Sequence, residues 1–296
     1  MNRFTLILAI LLTLNLAATA QDQIVIRSKN LSKPDTVWVF TPSGNANIAH
    51  KSFPVVYLLH GWSGNYKQWN HIIDCQAYAD KYQFIIVCPD GLYDSWYINS
   101  PAIRGSQYAD FFFNDLMPLI LGKYPVDKND LFITGLSMGG HGALYLFEQK
   151  PGLFRSAGST SGVLDLSGSR NSYRIKNLLG LTGNTKSDSL LLRKYSVIGN
   201  VRKIAASGKE IIFSCGTEDP FYKVNNVFRK ACDQSGVKAI YISAPGTHNY
   251  AFWHFSIKYH FDFFKSLVPD SSVLTQKIAD ADILSPTRKN ARFIRK

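Results

Sequence analysis

Short apolar runs alternate with longer amphipathic segments along most of this chain. The apolar runs, each of a length suited to one strand, lie at residues 54–59, 84–87, 131–134, 210–214 and 239–243. Continuous apolar runs are typical of strands that are buried on both faces. The amphipathic segments between and after them lie at residues 110–124, 140–149, 221–234 and 250–264. Strands that alternate with helices predict an α/β protein with a mostly parallel central sheet and helices on both faces.

Two earlier stretches, residues 24–27 and 36–40, are rich in β-branched and aromatic residues and alternate in polarity. They predict an antiparallel pair of strands at one edge of the sheet. The segment 167–203 is polar and rich in Ser, Asn and Gly, and it is either an insertion that covers the active site or an ordinary surface excursion. Because no repeat or linker divides the chain, we expect one domain over residues 21–268.

The two ends of the chain differ from this domain. Residues 1–20 begin with Met-Asn-Arg, continue with an apolar run and end in Ala-Thr-Ala, which is the layout of a cleavable secretory signal. The apolar run is shorter than the roughly 20 residues that span a bilayer. We therefore expect a periplasmic or secreted protein, with no stable membrane insertion after cleavage. Residues 269–296 lose the core periodicity and end basic, which predicts a flexible tail.

Charge and cysteine content exclude some classes of function. The chain has 33 Lys and Arg against 21 Asp and Glu, but the surplus is spread out, so we expect no nucleic-acid partner. The four cysteines have no metal-binding spacing, which argues against a metal site. Export permits disulfides, yet four cysteines allow three pairings. Cys88 and Cys215 end apolar runs and could equally be buried free thiols.

One motif carries a nucleophile. The apolar run 131–134 leads into Gly-Leu-Ser-Met-Gly-Gly at residues 135–140 and then into a helical pattern. G-x-S-x-G between a strand and a helix is typical of a serine nucleophile on a sharp turn, where glycines avoid collisions. Ser137 is therefore the candidate nucleophile. The helix N-terminus also places partial positive charge beside a forming oxyanion.

A serine hydroxyl needs a base and an acid that orients the base, in the order Ser, acid, His. Asp219 follows a predicted strand in Gly-Thr-Glu-Asp-Pro, and His248 follows the next strand in Pro-Gly-Thr-His-Asn. These two residues are the candidate acid and base. Glu218 is a rival to Asp219, and Asp165 is a more distant one. We assign the other histidines structural or solvent-facing roles.

An oxyanion formed during acyl transfer needs hydrogen-bond donors. We assign one to the backbone N–H of Met138, directly after the nucleophile. The second is assigned to the N–H of Trp62, which lies in the glycine-rich loop after the run 54–59. This chemistry uses only protein groups, so we expect no cofactor.

Aromatic residues are candidates for a substrate pocket. Tyr93, Trp96 and Tyr97 follow a predicted strand end and either line a pocket for a sugar or a phenolic acyl group or pack the edge of the sheet.

Several segments together resemble one family. They read L-L-H-G-W-S-G-N-Y-K-Q-W, P-D-G, S-W-Y-I-N-S-P, G-L-S-M-G-G-H-G-A-L, C-G-T-E-D and G-T-H-N-Y-A-F-W, in order from about residue 54 to residue 264. They resemble the putative-esterase family of α/β hydrolases, which includes esterase D-like enzymes, tributyrin, feruloyl and acetyl-xylan esterases, and mycolyltransferases. The resemblance implies the α/β-hydrolase fold, a Ser137, Asp219 and His248 triad, and an oxyanion contact from Trp62. It also makes Trp253 the aromatic residue that closes the His248 motif, and Trp253 is therefore a fourth candidate for the pocket.

The sequence thus predicts an exported serine esterase that hydrolyses short acyl or carbohydrate-linked esters, such as acetyl or feruloyl esters, with a small-molecule or glycan ester as its partner. An acyltransferase that uses the same acyl-enzyme and a non-catalytic binding protein on a hydrolase scaffold are the alternatives. A serine peptidase is a third.

Overall fold

The computed structural model describes residues 21–43 and 52–269, and these residues build an eight-stranded sheet. Its strands are β1 (Gln21–Ile26), β2 (Asp35–Phe40), β3 (Phe53–Leu59), β4 (Ile85–Pro89), β5 (Val126–Gly135), β6 (Ser156–Thr160), β7 (Ile211–Gly216) and β8 (Ala239–Ala244). The predicted signal, residues 1–20, and the predicted tail beyond Pro269 lie outside the described residues. Both stay predictions.

The strands follow the order β1-β2-β4-β3-β5-β6-β7-β8 across the sheet. β2 is antiparallel to β1 and to β4, whereas all pairs from β4 through β8 are parallel. The mostly parallel sheet with an antiparallel pair at its edge is therefore as predicted. Because the carboxyl ends of parallel strands share one edge, the loops after β3, β5, β7 and β8 meet there.

Helices cover both faces of the sheet. They are α1 (Gln68–Ile72), α2 (Cys75–Tyr82), α3 (Tyr108–Phe111), α4 (Met117–Lys123), α5 (Met138–Gln149), α6 (Ile175–Leu179), α7 (Thr185–Tyr195), α8 (Val201–Ala206), α9 (Tyr222–Ser235) and α10 (Tyr250–Leu267). A π-helical turn, Phe112–Leu116, joins α3 to α4, so the predicted helix 110–124 changes its winding in the middle. The polar segment 167–203 contains α6, α7 and the start of α8.

Alternate residues of the central strands feed two separate apolar layers. Val55, Tyr57 and Leu59 belong to the layer that α3 to α9 cover, and Val56 and Leu58 belong to the layer under α1, α2 and α10. Every residue of β3 is buried. This two-sided burial is why the strand reads as an unbroken apolar run, with no polar alternation.

β6, with the sequence Ser-Ala-Gly-Ser-Thr, is a strand that the apolar pattern does not predict. All five of its residues are buried, but the helices on both sides approach too closely for large side chains. A Cβ on Gly158 would lie 2.7 Å from Nδ1 of His260 in α10, and one on Gly140 in α5 would lie 2.6 Å from Oγ of Ser159. Small residues therefore mark a closely packed strand here, and hydropathy misses it.

The four cysteines are buried free thiols in this structure. For Cys88 and Cys215 this is one of the two alternatives that the sequence leaves open. Burial and a hydrogen bond with Cys88 raise the pKa of Cys75 well above its usual value, and burial raises the pKa of Cys232 to about 12. Within residues 21–43 and 52–269, no helix is both long enough and apolar enough to cross a membrane.

Candidate active site

Ser137 lies on a strained turn between β5 and α5. Its φ of 54° and ψ of −116° are unusual for a residue with a side chain and cost about 1–3 kcal/mol. The neighbouring glycines make this turn possible. A Cβ on Gly139 would lie 2.2 Å from the carbonyl oxygen of Leu59, and one on Gly135 would lie 2.5 Å from that of Gly139. The turn therefore presses against the end of β3 while it presents the hydroxyl at the carboxyl edge of the sheet.

His248 and Asp219 reach Ser137 from the loops after β8 and β7. Nε2 of His248 lies 2.9 Å from Oγ of Ser137, and Nδ1 of His248 lies 2.8 Å from Oδ2 of Asp219. Asp219 is 4% exposed, and its other carboxylate oxygen accepts the backbone N–H of Phe221 at 2.8 Å. The structure thus brings together the three residues that the sequence singled out.

These contacts fix the tautomer of His248. A carboxylate only accepts hydrogen bonds, so Nδ1 carries a proton that it donates to Asp219. Nε2 is left with a lone pair that accepts the hydroxyl hydrogen of Ser137. This is the geometry in which an imidazole can take a proton from a serine as the serine attacks a carbonyl carbon.

Two backbone N–H groups beside Ser137 are free to bind an oxyanion. Within the described part of the chain, neither the N–H of Met138 nor that of Trp62 donates a hydrogen bond. The loop that carries Trp62 is close to the serine, since a Cβ on Gly61 would lie 3.5 Å from Cβ of Ser137.

The Gly61–Trp62 peptide is held from several sides. The carbonyl of Gly61 accepts Nδ1–H of His60 at 2.7 Å and the N–H of Gly64 at 3.0 Å. The N–H of Gly61 donates to Oε1 of Gln68 at 2.8 Å. Because a trans peptide unit is planar, holding the carbonyl of Gly61 also sets the direction of the N–H of Trp62. The position of this donor is therefore set before any substrate arrives.

A small aromatic cavity of about 170 Å³ opens beside Ser137 and His248. Five aromatic rings line it: Trp62, Trp96, Tyr173, Phe221 and Trp253. The buried indole N–H groups of Trp62 and Trp253 have no hydrogen-bond partner among the described residues. An unsatisfied buried donor is costly, so a ligand oxygen that reached either indole N–H would remove that cost.

The four predicted pocket residues divide into two pairs. Trp96 and Trp253 line the cavity. Tyr97 does not, because its ring is fully buried and its hydroxyl donates to the carbonyl of His60 at 3.0 Å. Tyr93 is 48% exposed and packs against the ring of Trp62 at 4.9 Å, outside the lining. Tyr97 therefore packs at the sheet edge, which is the second of the two alternatives.

Sequence reasoning missed several residues of the cavity. Gln68, Val163, Tyr173 and Phe221 line it. Gln68 lies in the same sequence motif as Gly61 and Trp62, and this nearness in sequence could have indicated that it lies beside their loop. Tyr173 lies in the polar segment 167–203, where no motif or periodicity points to it.

The rival acids and the two buried histidines take other positions in the structure. Glu218 is exposed, and Asp165 caps a short 3₁₀ helix by accepting the N–H of Ser167. Burial lowers the pKa of His141 to about 4 and that of His260 to about 3, so both rings stay neutral inside the core. The described residues contain no cluster of side chains suited to a metal ion.

Comparisons with known proteins identify the family of this chain. A sequence model of the family described as "Putative esterase" matches residues 28–264. The acetyl esterase of Caldicellulosiruptor saccharolyticus is 24% identical over 255 residues, which cover 78% of this chain and 93% of that enzyme.

Two solved structures share the fold. A fluorophosphonate-binding serine hydrolase of Staphylococcus aureus superposes with a TM-score of 0.72 at 21% identity, over 83% of this chain and 98% of that one. A ferulic acid esterase superposes with a TM-score of 0.70 at 24% identity, over 83% and 97%. The chain has the α/β-hydrolase fold.

Proposed function

We propose that Ser137, His248 and Asp219 are the catalytic residues of this chain, which belongs to the esterase family and is a serine carboxylic ester hydrolase. Ser137 attacks the ester carbonyl carbon while His248 takes its proton, and Asp219 holds the imidazole tautomer. The N–H groups of Met138 and Trp62 bind the oxyanion. His248 then gives its proton to the leaving alcohol, and water releases the acyl group. The continuous hydrogen bonding from Ser137 through His248 to Asp219 carries this proposal.

The test is loss of the nucleophile. Ser137→Ala should lower the turnover of p-nitrophenyl acetate by about 10⁵-fold or more and abolish labelling by a fluorophosphonate probe. Ser167→Ala is the matched control, because that serine is exposed, and it should behave as wild type. Far-UV circular dichroism checks that both variants fold. Wild-type turnover by the Ser137 variant would overturn the assignment.

We further propose a short acyl or carbohydrate-linked ester as the substrate. The cavity of about 170 Å³ is smaller than the roughly 300–1,000 Å³ of pockets that take larger ligands, which favours a small acyl group. Trp253 packs against His248 at 5.0 Å with its indole N–H unpartnered, which favours an oxygen-rich alcohol such as a sugar. One similar protein is named an acetyl esterase and another a ferulic acid esterase, and both names agree with such substrates.

Comparing hydrolysis of acetylated xylan, feruloylated arabinose and plain alkyl acetates tests the substrate class. Preference for the alkyl acetates would contradict a carbohydrate substrate. Adding a sugar alcohol as acceptor and analysing the products by mass spectrometry separates hydrolysis from acyl transfer, because a transferase forms the new sugar ester.

Export is proposed from residues 1–20 alone, whose pattern is that of a cleavable signal. The mature protein then begins near Gln21 and is periplasmic or secreted. Fractionation of cells that express the full chain, with N-terminal sequencing, tests this. An uncleaved chain in the cytoplasmic fraction would contradict it.

A further inference from the structure

We propose that Tyr173 closes the acyl end of the cavity and sets the upper limit of acyl length. This inference rests on the proposed function, since it needs an acyl group on Ser137. Tyr173 is a specificity-determining residue and takes no part in bond making. It belongs to the segment between β6 and α6, outside every motif that carries the catalytic groups.

The two ends of the cavity are distinguished by their distance from His248. A base that returns its proton to the leaving alcohol must lie beside that alcohol, so the rings that contact His248 mark the alcohol end. These rings are Phe221 at 5.1 Å and Trp253 at 5.0 Å. The acyl group extends away from them, past the oxyanion loop.

Tyr173 lies across that other end. Its ring packs against Trp62 at 5.5 Å and against Trp96 at 6.4 Å. A third contact, with Phe221 at 6.5 Å, joins this wall to the alcohol end. Trp62, Trp96 and Tyr173 therefore form the wall that an acyl chain meets as it leaves the oxyanion site.

Contacts from the opposite loop hold Tyr173 in this position. Nε1 of Trp96 donates to the carbonyl oxygen of Tyr173 at 3.2 Å, and the guanidinium of Arg174 pairs with Asp94 at 2.9 Å. Tyr173 and Arg174 have φ values of 52° and 60°, a left-handed conformation that residues with side chains seldom adopt. The contacts therefore hold the loop in a conformation that its own sequence does not favour.

The ring of Tyr173 has solvent behind it. The residue is 39% exposed, so the outer side of its ring faces water. Truncating the side chain therefore opens the cavity outwards, and we expect the fold to tolerate the change.

The experiment measures acyl preference with p-nitrophenyl acetate, butyrate and octanoate. In Tyr173→Ala the ratio of kcat/KM for octanoate to that for acetate should rise about tenfold or more, because each methylene that gains apolar contact contributes to the specificity ratio. Tyr173→Phe keeps the ring and should keep the wild-type ratio. Tyr93→Ala removes a similar ring that lies outside the lining and should also leave the ratio unchanged.

Several outcomes would overturn this role. An unchanged ratio in a folded, active Tyr173→Ala variant would do so, and so would an equal rise in Tyr93→Ala. A change confined to a series of acetate esters with different alcohols would place Tyr173 at the alcohol end. Failure of the proposed function looks different, since wild-type protein would then neither hydrolyse the acetate nor label at Ser137.

Discussion

Asp219→Asn should nearly abolish catalysis, for a reason that the structure specifies. The carboxylate uses one oxygen to accept the N–H of Phe221 at 2.8 Å and the other to accept Nδ1–H of His248 at 2.8 Å. An asparagine must keep its oxygen on the N–H of Phe221, since an amide nitrogen cannot accept. Its NH₂ group then faces Nδ1 of His248.

That arrangement reverses the histidine tautomer. Nδ1 has to accept from the amide, so the ring proton moves to Nε2 and points at Ser137. His248 can then no longer take the proton of the serine. The same exchange in a serine protease triad lowers kcat by about 10⁴-fold, which corresponds to about 5.4 kcal/mol in the activation free energy. We expect a loss of that order here, with the fold intact.

Steady-state kinetics with p-nitrophenyl acetate measure the effect, and Glu218→Gln is the matched control. Glu218 is the neighbouring acid and is exposed, so its variant should stay within about twofold of wild type. A decrease of less than about tenfold in Asp219→Asn, or a larger loss in Glu218→Gln, would refute the reasoning.

Two further predictions follow from buried hydrogen bonds. Gln68→Leu removes the acceptor of the Gly61 N–H, so kcat should fall by about five- to 160-fold with KM little changed, as expected for a loss of about 1–3 kcal/mol in the oxyanion loop. A rise in KM alone would contradict this. His260 is buried between Thr134 and Ser214, and burial lowers its pKa from 6.5 to about 3. Below about pH 6.5 the histidine is protonated in the unfolded chain but stays neutral in the native protein. The free energy of unfolding of wild type should therefore fall by about 1.4 kcal/mol per pH unit, relative to that of His260→Gln, between pH 6 and pH 4. Urea unfolding at several pH values measures that difference, and parallel curves would contradict it.

The proposed catalytic residues could be identified from the sequence because each follows a recognisable strand. Ser137, Asp219 and His248 come after β5, β7 and β8, and parallel strands bring their carboxyl ends to one edge. Once the strands are identified, order along the chain gives nearness in space. Among the described strands, hydropathy missed β6, which carries none of these three residues. The miss therefore did not affect their prediction, although Val163, a lining residue shortly after β6, was not found.

The wall of the cavity could not be predicted in the same way. Tyr173 reaches the site through contacts between two loops, and its position depends on backbone angles and on partners that are distant in sequence, such as Asp94. Tyr97 shows the opposite error, since it lies next to Trp96 in sequence yet points into the core. Neighbouring residues in an irregular loop do not share a face by any fixed period, so sequence spacing gives no guide there.

Two side chains in the segment from His60 to Gln68 hold the Gly61–Trp62 peptide in place. His60 uses Nδ1–H to hold the carbonyl of Gly61 and uses Nε2 to accept the N–H of Gly91 at 2.6 Å, so one imidazole ring joins the loops after β3 and β4. Gln68 returns from α1 to hold the N–H of Gly61. The N–H of Trp62, the proposed oxyanion donor, is thereby held in place by both neighbours of its peptide, and a donor fixed in advance costs no reorganisation when negative charge forms.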